Sequence, residues 1–500
     1  MGIADGLIAG LEVAALPANL LFCFAGVFLG TLIGVLPGIG PATAMALLLP
    51  ITVGAPPASG IILLAGIYYG SMYGGSTTSI LINVPGEAAS VMTCIEGHQM
   101  ARQGRAGPAL ALAAIGSFVA GTLAVVALSV IAAPIARAAV LLGPTDYVGL
   151  MVLGLVMVMV ISSGSISNAV LTTSFGIVLG LVGVDTMSGD QRFTFGFPQL
   201  LEGVDVITLV VGLFGISEVL QNLENTVVRS LVADKIGRIM PSRDDWRRSR
   251  GPIARGSVLG FILGLLPGGG AVLASFASYA VEKRISREPE KFGKGALEGL
   301  AGPESANNSA ATAAFIPLLT LGIPPNAVLG ILLGALMIQG ISPGPLMMIR
   351  NPDVFWGVVA SMYIGNVMLL VLNLPLIGLW IQILRIPYGV LFPLILIFCV
   401  IGVYGTVGSI FHLGLMLIFG VAGYLLRRTG YDLAPMILGF VLGPLLEVNI
   451  RRSLIASDGD WSFLLTRPVG LVCLIAAALL LVASTMPAIR AGRAALQSED

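Results

Sequence analysis

Stretches of about 20 apolar residues recur along the whole chain, separated by short polar loops. A run of that length spans the hydrocarbon core of a bilayer as a helix, and few soluble folds can hide so many of them. Of the 500 residues, 26 are Lys or Arg and 26 are Asp or Glu, and 56% are hydrophobic. Charged residues make up 10% of the chain, where a soluble domain carries roughly 25%. Too few remain to clothe a water-facing surface. The 65 glycines and 29 prolines would signal disorder in a polar chain, but helices packed inside a bilayer tolerate both. The expected fold is an all-α polytopic membrane protein with about 10–12 membrane-inserted segments.

The same features exclude several classes of function. The formal net charge is zero, so bulk charge implies no acidic or basic partner and no nucleic acid. Cys23, Cys94, Cys399 and Cys473 are far apart and suggest neither a zinc site nor a disulfide framework. No Lys or Arg precedes the first apolar stretch, so the N-terminus does not read as a cleaved signal peptide. No H-E-x-x-H or Walker A sequence is present, and the only histidines are His98 and His412. The chain is not expected to be an enzyme or to carry a cofactor.

Because basic residues are rare, their placement orients the chain. Arg102 and Arg105 share one loop, Arg229 to Arg255 holds eight basic against three acidic residues, and Lys283 to Lys294 holds five more basic residues. The positive-inside rule places all three in the cytoplasm. Between the first two lie apolar windows near 108–133, 147–161, 166–184 and 204–222, and four crossings return the chain to its starting side. Residues 256–281 are too few for two crossings, which take about 40 residues. A re-entrant hairpin fits both length and charge; an ordinary single helix with a basic loop outside is the alternative.

Residues 26–44, GVFLGTLIGVLPGIGPATA, and 256–274, GSVLGFILGLLPGGGAVLA, match at nine of nineteen positions without a gap. The expectation is two homologous halves, 1–230 and 231–500. The first contains a hairpin at 20–53 and a broken segment at 60–86. The second contains the basic loop 229–255, a hairpin at 256–281, a broken segment at 300–325 and C-terminal helices. In each copy glycines at i, i+4 and i+8 form a bare stripe for close helix approach, ending in Leu-Pro-Gly-x-Gly, where the helix is expected to break. One such break reads as a kinked packing helix. Two in corresponding positions point to a transporter binding site. Five windows between the hairpins, 60–82 and the four above, give the halves opposite topology, hence inverted repeats.

A polar segment follows each copy, GSMYGGSTTSILINVPG from Gly70 and GPESANNSAATAAFIPLLTLGIPP from Gly302. Their alignment takes a gap of about six residues. Carboxylates and amides at membrane depth are expensive unless they serve a pathway. The candidate substrate-binding residues are Gly38, Gly40, Ser76, Thr77, Thr78, Ser79, Asn83, Gly268, Gly269, Gly270, Ser305, Asn308 and Ser309. None is basic, so an anion would be held by backbone N–H groups and neutral donors. Glu304 and Asn307 are the candidates for a coupling ion, with sodium placed near both. The bland alternative is that Ser, Thr and Asn only join helices by hydrogen bonds. Asp185 and Arg192 read as structural or partner-contacting, and Glu87 and Glu298 as solvated.

These segments, together with VGVDTMSGDQRFTFG and LPGGGAVLASFASYAVEKR, resemble the large membrane subunit, TctA-type, of tripartite tricarboxylate transporters. The motif order matches over nearly the whole chain; Pro324-Pro325 departs from the Pro-Gly usual there. The resemblance implies ion-gradient-driven symport of carboxylates, of the tricarboxylate or dicarboxylate class, across a bacterial inner membrane. It also implies a small membrane subunit (TctB-type), a periplasmic solute-binding protein (TctC-type), and sodium or protons as coupling ion. The permease of an ABC-type importer is the alternative, with a channel third.

Overall fold

The structure, a computed structural model, describes residues 2–36, 40–162, 165–185, 187–224, 238–266, 270–384 and 388–485. Gly38, Gly268, Gly269 and residues 229–237 of the second basic loop lie outside the described residues. Within them the chain is all-α apart from one two-stranded antiparallel ribbon, β1 (Gly183–Val184) against β2 (Gln191–Arg192). Seven described helices are long and apolar enough to cross a membrane, and shorter apolar helices such as Pro41–Val53, Ile166–Gly180 and Ala327–Ile338 accompany them. Many prolines open helices, as Pro17, Pro41, Pro57, Pro144 and Pro352 do. At the first helical position the missing N–H costs nothing.

Eight helices frame the polar interior and are designated α1 (Pro17–Val35), α2 (Pro57–Ile82), α3 (Val91–Met100), α4 (Ala106–Ala139), α5 (Arg243–Gly264), α6 (Gly270–Ile285), α7 (Leu297–Ala313) and α8 (Pro352–Asn373). Apolar side chains point outward, among them Leu21, Ile262, Ile418 and Leu479. Serines, threonines, asparagines and glutamates are buried inside. A bilayer demands this arrangement, since lipid offers no partner for a polar group.

Both glycine stripes meet the helix that carries the following polar segment. Gly26, Gly30 and Gly34 of α1 lie against the carbonyls of Leu63, Ile67 and Ser71 of α2. Gly256, Gly260 and Gly264 of α5 lie against those of Gly302, Ala306 and Ala310 of α7. A Cβ on Gly30 would sit 2.5 Å from the Ile67 oxygen, and one on Gly264 2.5 Å from the Ala310 oxygen. Contacts that advance four residues on both helices mean parallel helices in each pair. Counted from the stripes, Ser76 corresponds in sequence to Phe315 rather than to the Glu304 cluster, so the two polar segments do not occupy equivalent positions on their helices.

The interruptions fall at helix ends. α2 runs unbroken to Ile82 and stops at Asn83, which is left-handed at φ 58°. α7 continues through Pro303, and the chain bends only at Ala314 and at left-handed Gly322. Between α5 and α6 the chain reverses, since Arg255 Nη2 pairs with Glu282 at 2.7 Å. The three basic stretches also meet at one end. Arg105 pairs with Asp245, Gln103 donates to the Lys294 carbonyl at 2.8 Å, and Arg248 approaches Glu288 at 3.7 Å. The segment 256–281 therefore leaves that end of the molecule and returns to it.

Candidate functional site: a buried carboxylate cluster

Glu304 lies at the centre of the interior, 1% exposed. Ser76 of α2 donates to its Oε2 at 2.7 Å, and the Thr93 hydroxyl of α3 donates to Oε1. Asn308, one turn along α7, donates to the Glu304 carbonyl at 3.1 Å and to Ser117 Oγ of α4 at 2.6 Å. Four helices thus converge on one carboxylate through neutral groups. Neither Glu304 nor Glu87 forms an ion pair among the described residues. Burying a charge in that way is expensive unless hydrogen bonds or a counter-ion offset it.

Glu87, expected to be solvated, is half-buried and joined to the cluster: Asn307 Nδ2 donates to its Oε1 at 2.6 Å. Its place directly after the Pro85-Gly86 turn was the available signal. Glu298 instead pairs with Arg248 at 2.8 Å.

Other candidates take different places. Thr77 and Ser76 line a small cavity with Tyr73, Leu110, Ala113, Ala114, Ser117 and Asn373. Its volume is about 10 Å³, close to the minimum for one water molecule. Thr78 donates to the Val35 carbonyl at 2.8 Å, tying α2 to the end of α1, and Ser79 donates to Ser90 at 3.0 Å. Ser305 bonds back to the Ala301 carbonyl at 2.8 Å, and Ser309 bonds to the Ser257 carbonyl of α5 at 2.6 Å. Asn83 is an exposed helix cap, and Gly40 caps the helix Pro41–Val53. Gly270 begins α6, against Gly264.

The residues that hold the cluster together were not apparent from sequence. Glu96, fully buried on α3, accepts from Tyr279 at 2.8 Å and from the N–H groups of Gly293, Gly295 and Ala296 at 2.5, 2.8 and 2.7 Å. It caps the entry to α7 and so fixes Glu304 relative to Thr93, three residues before Glu96 on the same helix. Tyr73 donates to Asn366 of α8 at 2.8 Å. Among the described residues no three His, Cys, Asp or Glu side chains gather to hold a metal ion.

Asp185 and Arg192 stand away from this site, in a network with Glu447 and Arg451. Arg192 binds both Glu447 oxygens at 2.9 Å and pairs with Asp185, which Arg451 also contacts at 2.6 Å. The Asp185 carboxyl is held well below the usual carboxylate range, first by the Met187 N–H, then by the Ser188 hydroxyl and the two arginines.

Apolar helices around a polar interior of carboxylates, amides and hydroxyls define a multi-pass membrane protein of the transporter class. The chain belongs to the tripartite tricarboxylate transporter TctA family, whose model matches residues 20–438. It is similar to a protein of Agrobacterium vitis described as an uncharacterised 52.8 kDa protein in the TAR-I ttuC' 3' region, 49% identical over 99% of this chain and 98% of that one. A second A. vitis protein, from the TAR-II ttuC' 3' region, is 52% identical over 48% of this chain and all of its own length. No solved structure matches the chain.

Proposed function

We propose that this chain is the translocation subunit of an ion-gradient-driven carboxylate importer of the bacterial inner membrane, working with a small membrane subunit and a periplasmic solute-binding protein. The observation that carries the reading is the Glu304 cluster: a carboxylate at membrane depth held by neutral donors from α2 and α3, on a helix that Asn308 ties to α4. Intramembrane carboxylates of this kind mark ion pathways. Glu304 and Asn307 act in ion coupling, and Asn308 and Ser309 lie nearer the substrate. Membership of the TctA family supports a tripartite system and a tri- or dicarboxylate substrate.

Inverted repeats would give two hairpins opening to opposite sides, and the matching glycine-stripe contacts support related halves. A cavity of about 10 Å³ is far too small for a tricarboxylate. α2, α4 and α8, which line it, therefore part to admit substrate, and rocking of one bundle against another supplies that motion.

The test uses proteoliposomes holding both membrane subunits, supplied with the binding protein. Uptake of labelled carboxylate should collapse with an ionophore and ignore ATP. Uptake that follows ATP and ignores the ionophore would establish the ABC-type alternative.

A further inference from the structure

Glu87 sits where the interior meets the outside. It is half-buried, and its neighbours Asn83, Pro85 and Ala88 are exposed. Asn307, against it, is 1% exposed. The Asn307 amide gives its nitrogen to Glu87 at 2.6 Å, while its buried Oδ1 has no hydrogen-bond partner among the described residues. Both atoms hang from one carbon, so this unmet oxygen lies beside the Glu87 carboxylate. An acceptor left without a donor in a buried site is costly unless something electropositive faces it.

A proton on Glu87 does not resolve the arrangement. With the amide as placed, Oδ1 stays unmatched; with the amide turned over, Oδ1 accepts from the protonated acid but Nδ2 loses its acceptor. A metal cation bridging Glu87 and Oδ1 serves both oxygens, which are hard ligands suited to it. Glu304 is less available, since both its oxygens already accept hydroxyl protons. Among the described residues no three Asp, Glu, His or Cys side chains gather here, so the site offers little charge for a divalent ion.

We propose that Glu87 and the Asn307 amide oxygen form the entry site of the coupling ion, a partly dehydrated monovalent metal cation of the sodium class, reached from the turn at residues 83–88. The proposal rests on the ion-coupled reading above and adds Glu87 as the carboxylate that meets the ion first. Glu304, three residues before Asn307 on α7, is the second charge further in.

The test is thermal melting of the purified full chain in detergent, with sodium chloride titrated against choline chloride at constant ionic strength. The wild type should be stabilised saturably by sodium. Glu87→Gln should raise the sodium midpoint at least tenfold or abolish the response, and Glu87→Asp should keep a weakened one. If Glu87→Gln cannot be purified folded, Asn307→Asp replaces it; a second carboxylate beside Glu87 should lower the sodium midpoint. An unchanged midpoint in either variant overturns the assignment. Wild-type protein that ignores sodium and responds only to pH also overturns it, while leaving gradient coupling by protons intact. Uptake insensitive to every ionophore would instead defeat the proposed function itself.

Discussion

Ser76 Oγ donates to Glu304 Oε2 at 2.7 Å across 228 residues of sequence. The bond joins α2, in the first half of the chain, to α7 in the second, and the Thr93 hydroxyl adds a second link to the same carboxylate. Any separation of the two helices must strip donors from a buried carboxylate. A bound cation or proton would offset that loss, and this is a physical route from ion binding to helix movement.

Glu96 should be essential to the geometry of this site. Glu96→Ala leaves the Tyr279 hydroxyl and three backbone N–H groups without their buried acceptor. Each such loss costs about 1–3 kcal/mol, so the melting temperature should fall by several degrees and transport with it. Glu96→Gln keeps one acceptor oxygen and should fall less. Wild-type melting of both variants would show that the cap does not hold α7.

The glycine stripes predict a sharp contrast between positions. Gly30→Ala places a Cβ 2.5 Å from the Ile67 oxygen and 2.8 Å from its Cα, and Gly260→Ala meets the Ala306 backbone. Both should destabilise, because backbone cannot move aside as a side chain can. Gly414→Ala, with nothing within 4 Å, should be neutral or slightly stabilising. Melting curves for the three purified variants check the ordering.

Asn308 contacts both Ser117 and the Glu304 carbonyl. Asn308→Ala should weaken apparent carboxylate affinity by about 1–3 kcal/mol, read as a raised half-saturation concentration in uptake assays. Normal expression with an unaltered half-saturation would make Asn308 a helix joint only.

The Asp185 network sets an acid limit to stability. Its carboxyl titrates lower in the folded protein than in the unfolded chain. The stabilisation is therefore fully present above the ordinary carboxylate range, near pH 4, and is lost as pH falls toward the depressed folded value. Asp185→Asn should melt lower than wild type at neutral pH, and the two should converge as the solution is acidified. A difference that stays constant with pH would argue against an ionised Asp185 in the network.

Much of this architecture was legible in the sequence because bilayers impose simple rules. Apolar length gave the helices, and the scarce basic residues gave three stretches that meet at one end of the molecule. The glycine spacing at 26, 30 and 34 gave a helix face but not its partner. Glu304 stood out as a carboxylate inside an apolar run. Glu87, Glu96, Thr93 and Ser117 did not, since their roles arise from contacts across as many as 220 residues. Nor does composition separate Ser76, aimed at Glu304, from Thr78, bonded to a helix-end carbonyl.

The central claim is that the Glu304 cluster is the transport site. The most direct measurement is carboxylate uptake by Glu304→Gln in the reconstituted tripartite system, followed against sodium concentration and pH. The substitution keeps the shape and removes the charge. Transport should fall sharply and its ion dependence should change, with expression and melting near those of the wild type. Uptake at the wild-type rate with the same sodium and pH dependence would contradict the account and place the site elsewhere in the chain.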